Sequence, residues 1–147
     1  MDEQSYLSGY ADGEGCFCVT FNKSKRHRFG WEIRPSFSVS QNSDRAEILR
    51  LFQKQFQCGT IRPDRSDKTL KYEIRSVTQL ATKVVPHFTR YPLLSRKAEE
   101  FEMFAAIVFI MQNGEHLKQE GFGKIVHLAD QLNRSGKKKY PRSQIKV

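Results

Sequence analysis

LSGYADGEGCFCVTFN, residues 7–22, changes its period in the middle. In the first half, Gly9 and Gly13 are four apart, so on a helix they share one face, with Ser8 and Ala11 also small. From Cys16 onward the period is two: Phe17, Val19 and Phe21 point one way and Cys16, Cys18, Thr20 and Asn22 the other. The stretch therefore reads as a helix over 3–13 that turns directly into a strand with one buried face. Asp12 and Glu14 sit among three glycines, where a core would place bulk.

The same two periods extend down the chain. WEIRPSFSVSQ (31–41) alternates again, with Trp31, Ile33, Phe37 and Val39 inward. Pro35 lacks an N–H, which makes that strand irregular or partly an edge. Ser43 is a plausible N-cap for a helix whose apolar face is Ile48, Leu51, Phe52 and Phe56. GTIRPDR and LKYEIRS form a second hairpin around Ser66-Asp67, with Leu70, Tyr72 and Ile74 inward. A helix over 77–85 is expected to end before Pro86. A longer helix from about Ser95 carries Phe101, Phe104, Ala105 and Val108, and a last one over 121–133 carries Phe122, Ile125, Leu128 and Leu132. No internal repeat is evident. The expected fold is α+β, one antiparallel sheet from two hairpins with helices on one face. Residues 1–134 form the domain and 135–147 a loose basic tail.

The chain of 147 residues carries a formal charge of +9, which points to an anionic partner, most often nucleic acid. The charge is uneven: the first fifteen residues hold four acids and no Lys or Arg. Basic residues gather at 23–28 (Lys23, Lys25, Arg26, Arg28), at 62–75 and in the tail (Lys137, Lys138, Lys139). The sheet face opposite the helices carries Thr20, Asn22, Arg34, Ser36, Ser38, Ser40, Arg62, Asp64, Lys71, Glu73 and Arg75. Mixed donors and acceptors flanked by cations suit base edges in a major groove and the phosphates beside it, although a solvated sheet face is polar too. Three cysteines without a CxxC argue against a disulfide framework and a zinc site. Cys16 and Cys18 read as small contact residues. The apolar run 104–111 is too short to span a bilayer, so no membrane partner is expected. The MDEQSY start has no leader signature, which places the expected location inside a cell.

The glycine face of the first helix suits close approach of a second backbone. Since nothing else in the chain resembles it, the expected partner is its twin in a second copy, with Leu7, Ser8, Gly9, Asp12 and Gly13 at the seam. Two Glu14 carboxylates near a twofold axis would repel unless a cation lay between them. Taken by itself, Glu14 reads more simply as a surface acid beyond a glycine cap.

LSGYADGEG resembles the motif of the LAGLIDADG homing endonucleases, sharing Leu7, Gly9, Asp12 and Gly15, with Glu14 replacing the last Asp. The element order αββαββα with an extra C-terminal helix is similar as well, over about residues 5–133. The single motif is like that of the homodimeric members. The resemblance implies a saddle-shaped sheet straddling double-stranded DNA as two half-sites of a long pseudo-palindromic target. It also implies hydrolysis of one phosphodiester per strand leaving 3′ overhangs, and an intron or intein as genetic context. Glu14, with the Gly13 carbonyl, would bind Mg²⁺, other divalent cations being able to substitute, and Asp12 would be structural. Gln41, Arg45 and Lys97, with Arg96 the close alternative to Lys97, would complete the catalytic set. A bacterial cytoplasm or an organelle is the implied location. Two other readings remain open: an RNA maturase acting on intron RNA, and a DNA-binding module without catalysis.

Overall fold

The computed structural model describes residues 1–66, 68–132 and 145. Helix α1 (Glu3–Glu14) runs into β1 (Gly15–Lys23), which pairs with β2 (Trp31–Asn42). After α2 (Glu47–Phe56) come β3 (Thr60–Pro63) and β4 (Thr69–Ile74). A helical run follows, α3 (Val77–Gln79), a π turn (Leu80–Val84) and α4 (Val85–Arg90), and then α5 (Lys97–Gln112) and α6 (Gln119–Leu132). The sheet is antiparallel in the order β1-β2-β4-β3. This is the α+β arrangement of two hairpins and helices that the two periods imply.

The helix-to-strand switch is sharp because position 15 is glycine. A Cβ there would meet the Ala11 carbonyl oxygen at 2.7 Å, while the Gly15 N–H closes α1 on that same oxygen. β1 therefore leaves directly from the end of α1. Gly59 serves β3 similarly: its φ is +94° and a Cβ would lie 2.5 Å from the Tyr72 ring, so only glycine fits.

The sheet's inner face meets the helices through aromatic rings. Phe17 packs on Phe88, Phe101 and Phe104 at 5.2–5.5 Å between centroids, and Phe37 on Phe52, Phe56 and Phe88 at 5.4–6.1 Å. Such contacts add to the burial of large apolar area.

Several local expectations are corrected. Ser43 does not cap α2: Ser43–Arg45 form a separate 3₁₀ turn and α2 starts after Ala46 with no side-chain cap. Its core face is Leu49, Phe52 and Phe56, with Ile48 and Leu51 at the margin. The helix beyond residue 77 does not stop before Pro86. The π turn takes up an extra residue, with the Val85 N–H bonded to the Leu80 carbonyl, and Pro86 falls in the first turn of α4, where a missing N–H costs nothing. Pro35 lies in an inner strand, yet β4 pairs with β2 only over Phe37–Asn42, so β2 is locally an edge there. Leu7 and Ser8, expected at a seam between copies, are 0% and 3% exposed and belong to this chain's own core.

Ser8 has a defined role there. Its hydroxyl donates to the Tyr91 carbonyl at 2.6 Å, so it accepts from His87 Nε2, 3.1 Å away, which fixes the Nε2–H tautomer. Burial pulls the His87 pKa down from 6.5 to about 4, a nearby Asp2 opposing it. The unfolded chain takes up a proton that the folded one refuses between those values. Stability is thus complete above pH 6.5 and declines as pH falls toward 4. We expect the thermal midpoint to drop by several degrees from pH 7 to 5. In His87→Gln, whose amide replaces Nε2–H, the drop should be smaller, and equal slopes would contradict the assignment.

Candidate active site and nucleic-acid interface

Glu14 is the last residue of α1 and is exposed. A carboxylate at a helix carboxyl end faces the negative pole of the peptide dipoles, and no basic residue lies in that last turn. The neighbouring glycines leave the space clear: an added Cβ at Gly9 or Gly13 would touch nothing within 4 Å. The end of α1 is thus an open, electronegative site.

The structure brings one of the expected partners, Lys97, to it and holds a second, Gln41, against the same helix. The Lys97 ammonium donates to the Gly15 carbonyl, one residue beyond Glu14. Arg96, the alternative cation, is exposed at the entry to α5. Gln41 donates to the Tyr10 hydroxyl, and Tyr10 lies one helical turn before Glu14 on the same face. Its amide oxygen accepts from the Asn42 N–H at 2.8 Å. Arg45 is not gathered in: it is exposed, with only a loose 3.9 Å pairing to Asp44.

Asp12 is used within the chain. Its carboxylate accepts from the Leu94 N–H at 3.1 Å, the Ser95 N–H at 3.1 Å and the Ser95 hydroxyl at 2.5 Å. Burial works against its charge, but these hydrogen bonds, with Lys97 nearby, hold its pKa below the ordinary value. Asp12→Ala gives the exposed Leu94 and Ser95 amides back to water, and we expect the lost hydrogen bonds to destabilise the fold by about 0.5–1.5 kcal/mol in urea unfolding. A change below a few tenths would contradict this role.

On the open sheet face the register aligns the expected contact residues. Thr20 pairs with Arg34 and Cys18 with Ser36. Ser38 pairs with Glu73 and Ser40 with Lys71, and Arg62 with Lys71. Thr20, Lys23, Lys25, Arg26, Arg28, Arg34, Arg62, Asp64 and Arg75 are exposed, and Asn22, Ser36, Ser40 and Lys71 are half-buried. Ser40 donates to Asp64 at 3.3 Å. Two expectations change: Ser38 and Glu73 are buried. Glu73 lies beneath cations, accepting from Arg62 at 2.6 Å and Arg75 at 2.9 Å, with the Lys71 ammonium at 4.0 Å. Its acceptor capacity is taken up inside the chain. Glu32, which the sequence reading left off the contact face, holds Arg34 in the same way. Cys16 and Cys18 lie on this face and hydrogen-bond each other, which lowers the Cys16 pKa to about 7 against burial, helped by Lys97 and Lys71. The tail residues Lys137, Lys138 and Lys139 lie outside the described residues.

Residues 7–108 match the LAGLIDADG endonuclease family. The chain belongs to that family. It is 30% identical over 130 residues to a probable intron-encoded endonuclease 2 of Neurospora crassa, covering 88% of this chain and 29% of the relative. DNA endonuclease I-CeuI of Chlamydomonas moewusii is 26% identical over 138 residues, covering 90% and 63%. The chain thus spans under two-thirds of the length of these curated relatives. Among solved structures, the homing endonuclease I-TnaI superposes with a TM-score of 0.85 at 30% identity, covering 97% of this chain and 92% of that one. The LAGLIDADG chain I-SmaMI, described as bound to uncleaved DNA target in the presence of calcium ions, gives 0.86 at 28% identity, covering 95% and 47%.

Proposed function

We propose that this chain is one half of a site-specific DNA endonuclease, and that two copies meet along α1 to cut both strands of a long pseudo-palindromic duplex. The observation that carries this reading is Glu14 at the open, electronegative end of α1, beside Lys97 and at the edge of a cation-bearing sheet face. The fit to one full I-TnaI chain and to about half of an I-SmaMI chain supports a two-unit assembly. So does Leu94, an apolar side chain 92% exposed whose own backbone Asp12 holds.

A divalent cation, Mg²⁺ or a substitute, fits the donors at this place. Glu14 and the Gly13 carbonyl offer the hard oxygen ligands such ions take, and the helix end favours positive charge. Among the described residues no three His, Cys, Asp or Glu side chains come together, so one copy alone offers an incomplete set. A second copy and the phosphate supply the rest. The ion would lower the pKa of a bound water and neutralise charge on the phosphate. Lys97, fixed on the Gly15 carbonyl, adds positive charge beside the scissile group. Gln41, fixed on Tyr10, offers a polar contact for water or phosphate, and Arg45 is free to reach the backbone.

The relatives described as intron-encoded support an intron as genetic context; no helix among the described residues is long and apolar enough to cross a membrane. Incubating the protein and Mg²⁺ with the uninterrupted allele of its own insertion site should give a double-strand break with 3′ overhangs. An intact duplex that is nonetheless bound would remove the nuclease reading.

A further inference from the structure

Two short stretches of the open sheet face repeat one pattern. Trp31-Glu32-Ile33-Arg34 opens β2, and Tyr72-Glu73-Ile74 ends β4 with Arg75 directly after it. In each, the aromatic residue and the isoleucine enter the core, while Glu and Arg, two apart, share the opposite face. In each, Oε1 of the glutamate accepts a hydrogen bond from Nε of that arginine.

An arginine held by Nε keeps both terminal amino groups for something else. The Arg34 and Arg75 side chains are 54% and 58% exposed, and among the described residues neither makes a second ion pair. The free end is a planar two-donor fork, and the two acceptors of guanine, O6 and N7, match it in the major groove. Fixing the arginine beforehand removes rotamer freedom that binding would otherwise have to freeze. Arg34 lies where β2 pairs with β1, and Arg75 directly follows the last β2–β4 pair, so both forks sit at the same end of the open face. From strand spacing and rise, the register that pairs Phe37 with Ile74 puts the two Cα atoms about 8 Å apart. That is roughly two steps along a duplex rising about 3.4 Å per base pair.

We propose that Glu32 and Glu73 are positioning residues that present Arg34 and Arg75 as paired readers of guanine in the target. This rests on the reading of the sheet face as the DNA-binding surface. Glu73 also gathers Arg62 through Nη2, which extends the device to β3. Glu73 therefore orders the side chains that read and does not itself contact a base.

The test is selection of a preferred site from a duplex pool randomised across the recognition region, followed by binding to every single-base variant of that site. Arg34→Ala and Arg75→Ala should each flatten the preference at one or two neighbouring base pairs, from on the order of ten- to a hundredfold for guanine to within a few-fold. Glu32→Ala and Glu73→Ala should flatten those same positions. Glu32→Gln and Glu73→Gln keep an oxygen for Nε–H and should restore part of the preference. The proposal is overturned if the alanine variants of the glutamates retain wild-type preference there, or flatten a different base pair. It is overturned equally if the arginine variants weaken all sequences alike, as phosphate contacts would. Should Glu73→Ala fail to fold, Glu32→Ala decides, since Glu32 is one-third exposed. A wild-type protein that selects no sequence at all removes the DNA-binding reading itself, a result distinct from any of these.

Discussion

Replacing Glu14 by Gln should reduce DNA cleavage about 10³-fold or more while leaving the protein folded and able to bind its target. The substitution keeps the shape of the side chain and removes its charge. Glu14 is exposed, so stability has little to lose. Two effects reach the reaction. The amide is a poor ligand for a hard divalent cation, and charge stabilisation of the phosphoryl transition state goes with the ion. Binding moves in the opposite direction: removing two carboxylates from beside phosphates relieves repulsion, so affinity without metal should hold or rise. Single-turnover cleavage and metal-free binding measured on one preparation separate these effects. Cleavage within tenfold of wild type would exclude Glu14 from the metal site.

Leucine at Gly9 or Gly13 should strongly weaken pairing of two copies without harming one. The open space around both positions makes this prediction sharp. Within a single chain, a Cβ there meets nothing within 4 Å, and replacing glycine inside a helix gains up to about 1 kcal/mol. Across a close helix-to-helix seam the same side chain meets its twin, and each copy contributes an overpacking penalty of about 1–3 kcal/mol. Self-association should weaken on the order of a hundredfold and cleavage should fall with it, while the thermal midpoint at low concentration stays or rises. Sedimentation and thermal unfolding of the same variant give the answer. A leucine variant that still pairs as wild type places the seam elsewhere.

The elements legible in the sequence were those governed by one dominant force. The period-two runs of β1 and β2 are set by a single buried face, and α1 by small residues at helical spacing beside that change of period. What escaped depends on geometry across the chain. Ser43 has the chemistry of a cap, but the loop leaving β2 makes its own turn first. Pro86 forbids a regular helix, yet a π turn reorganises the hydrogen bonds around it. Polarity and period gave Glu73 and Ser38 the correct face, but Glu73 is covered by Arg62, Arg75 and Lys71, which no periodicity encodes. Ser8 looked like a small seam residue because its partners His87 and Tyr91 lie some eighty positions away. The candidate catalytic edge was partly readable: the resemblance singled out Lys97, with Arg96 the alternative, and only the fold brings the Lys97 ammonium to the Gly15 carbonyl.

The clasp between Asp12 and the backbone of Leu94 and Ser95 has a mechanical consequence. It makes the glycine-faced helix and the lysine-bearing helix a single lever, because the fastened backbone leads straight into α5. Whatever settles the first helix against its twin also sets where the Lys97 charge stands, while a solitary copy would hold one Lys97 and one Glu14 together and lack the twin's pair. Assembly would then act as a safety catch, keeping an unmated protein from nicking the genome that encodes it.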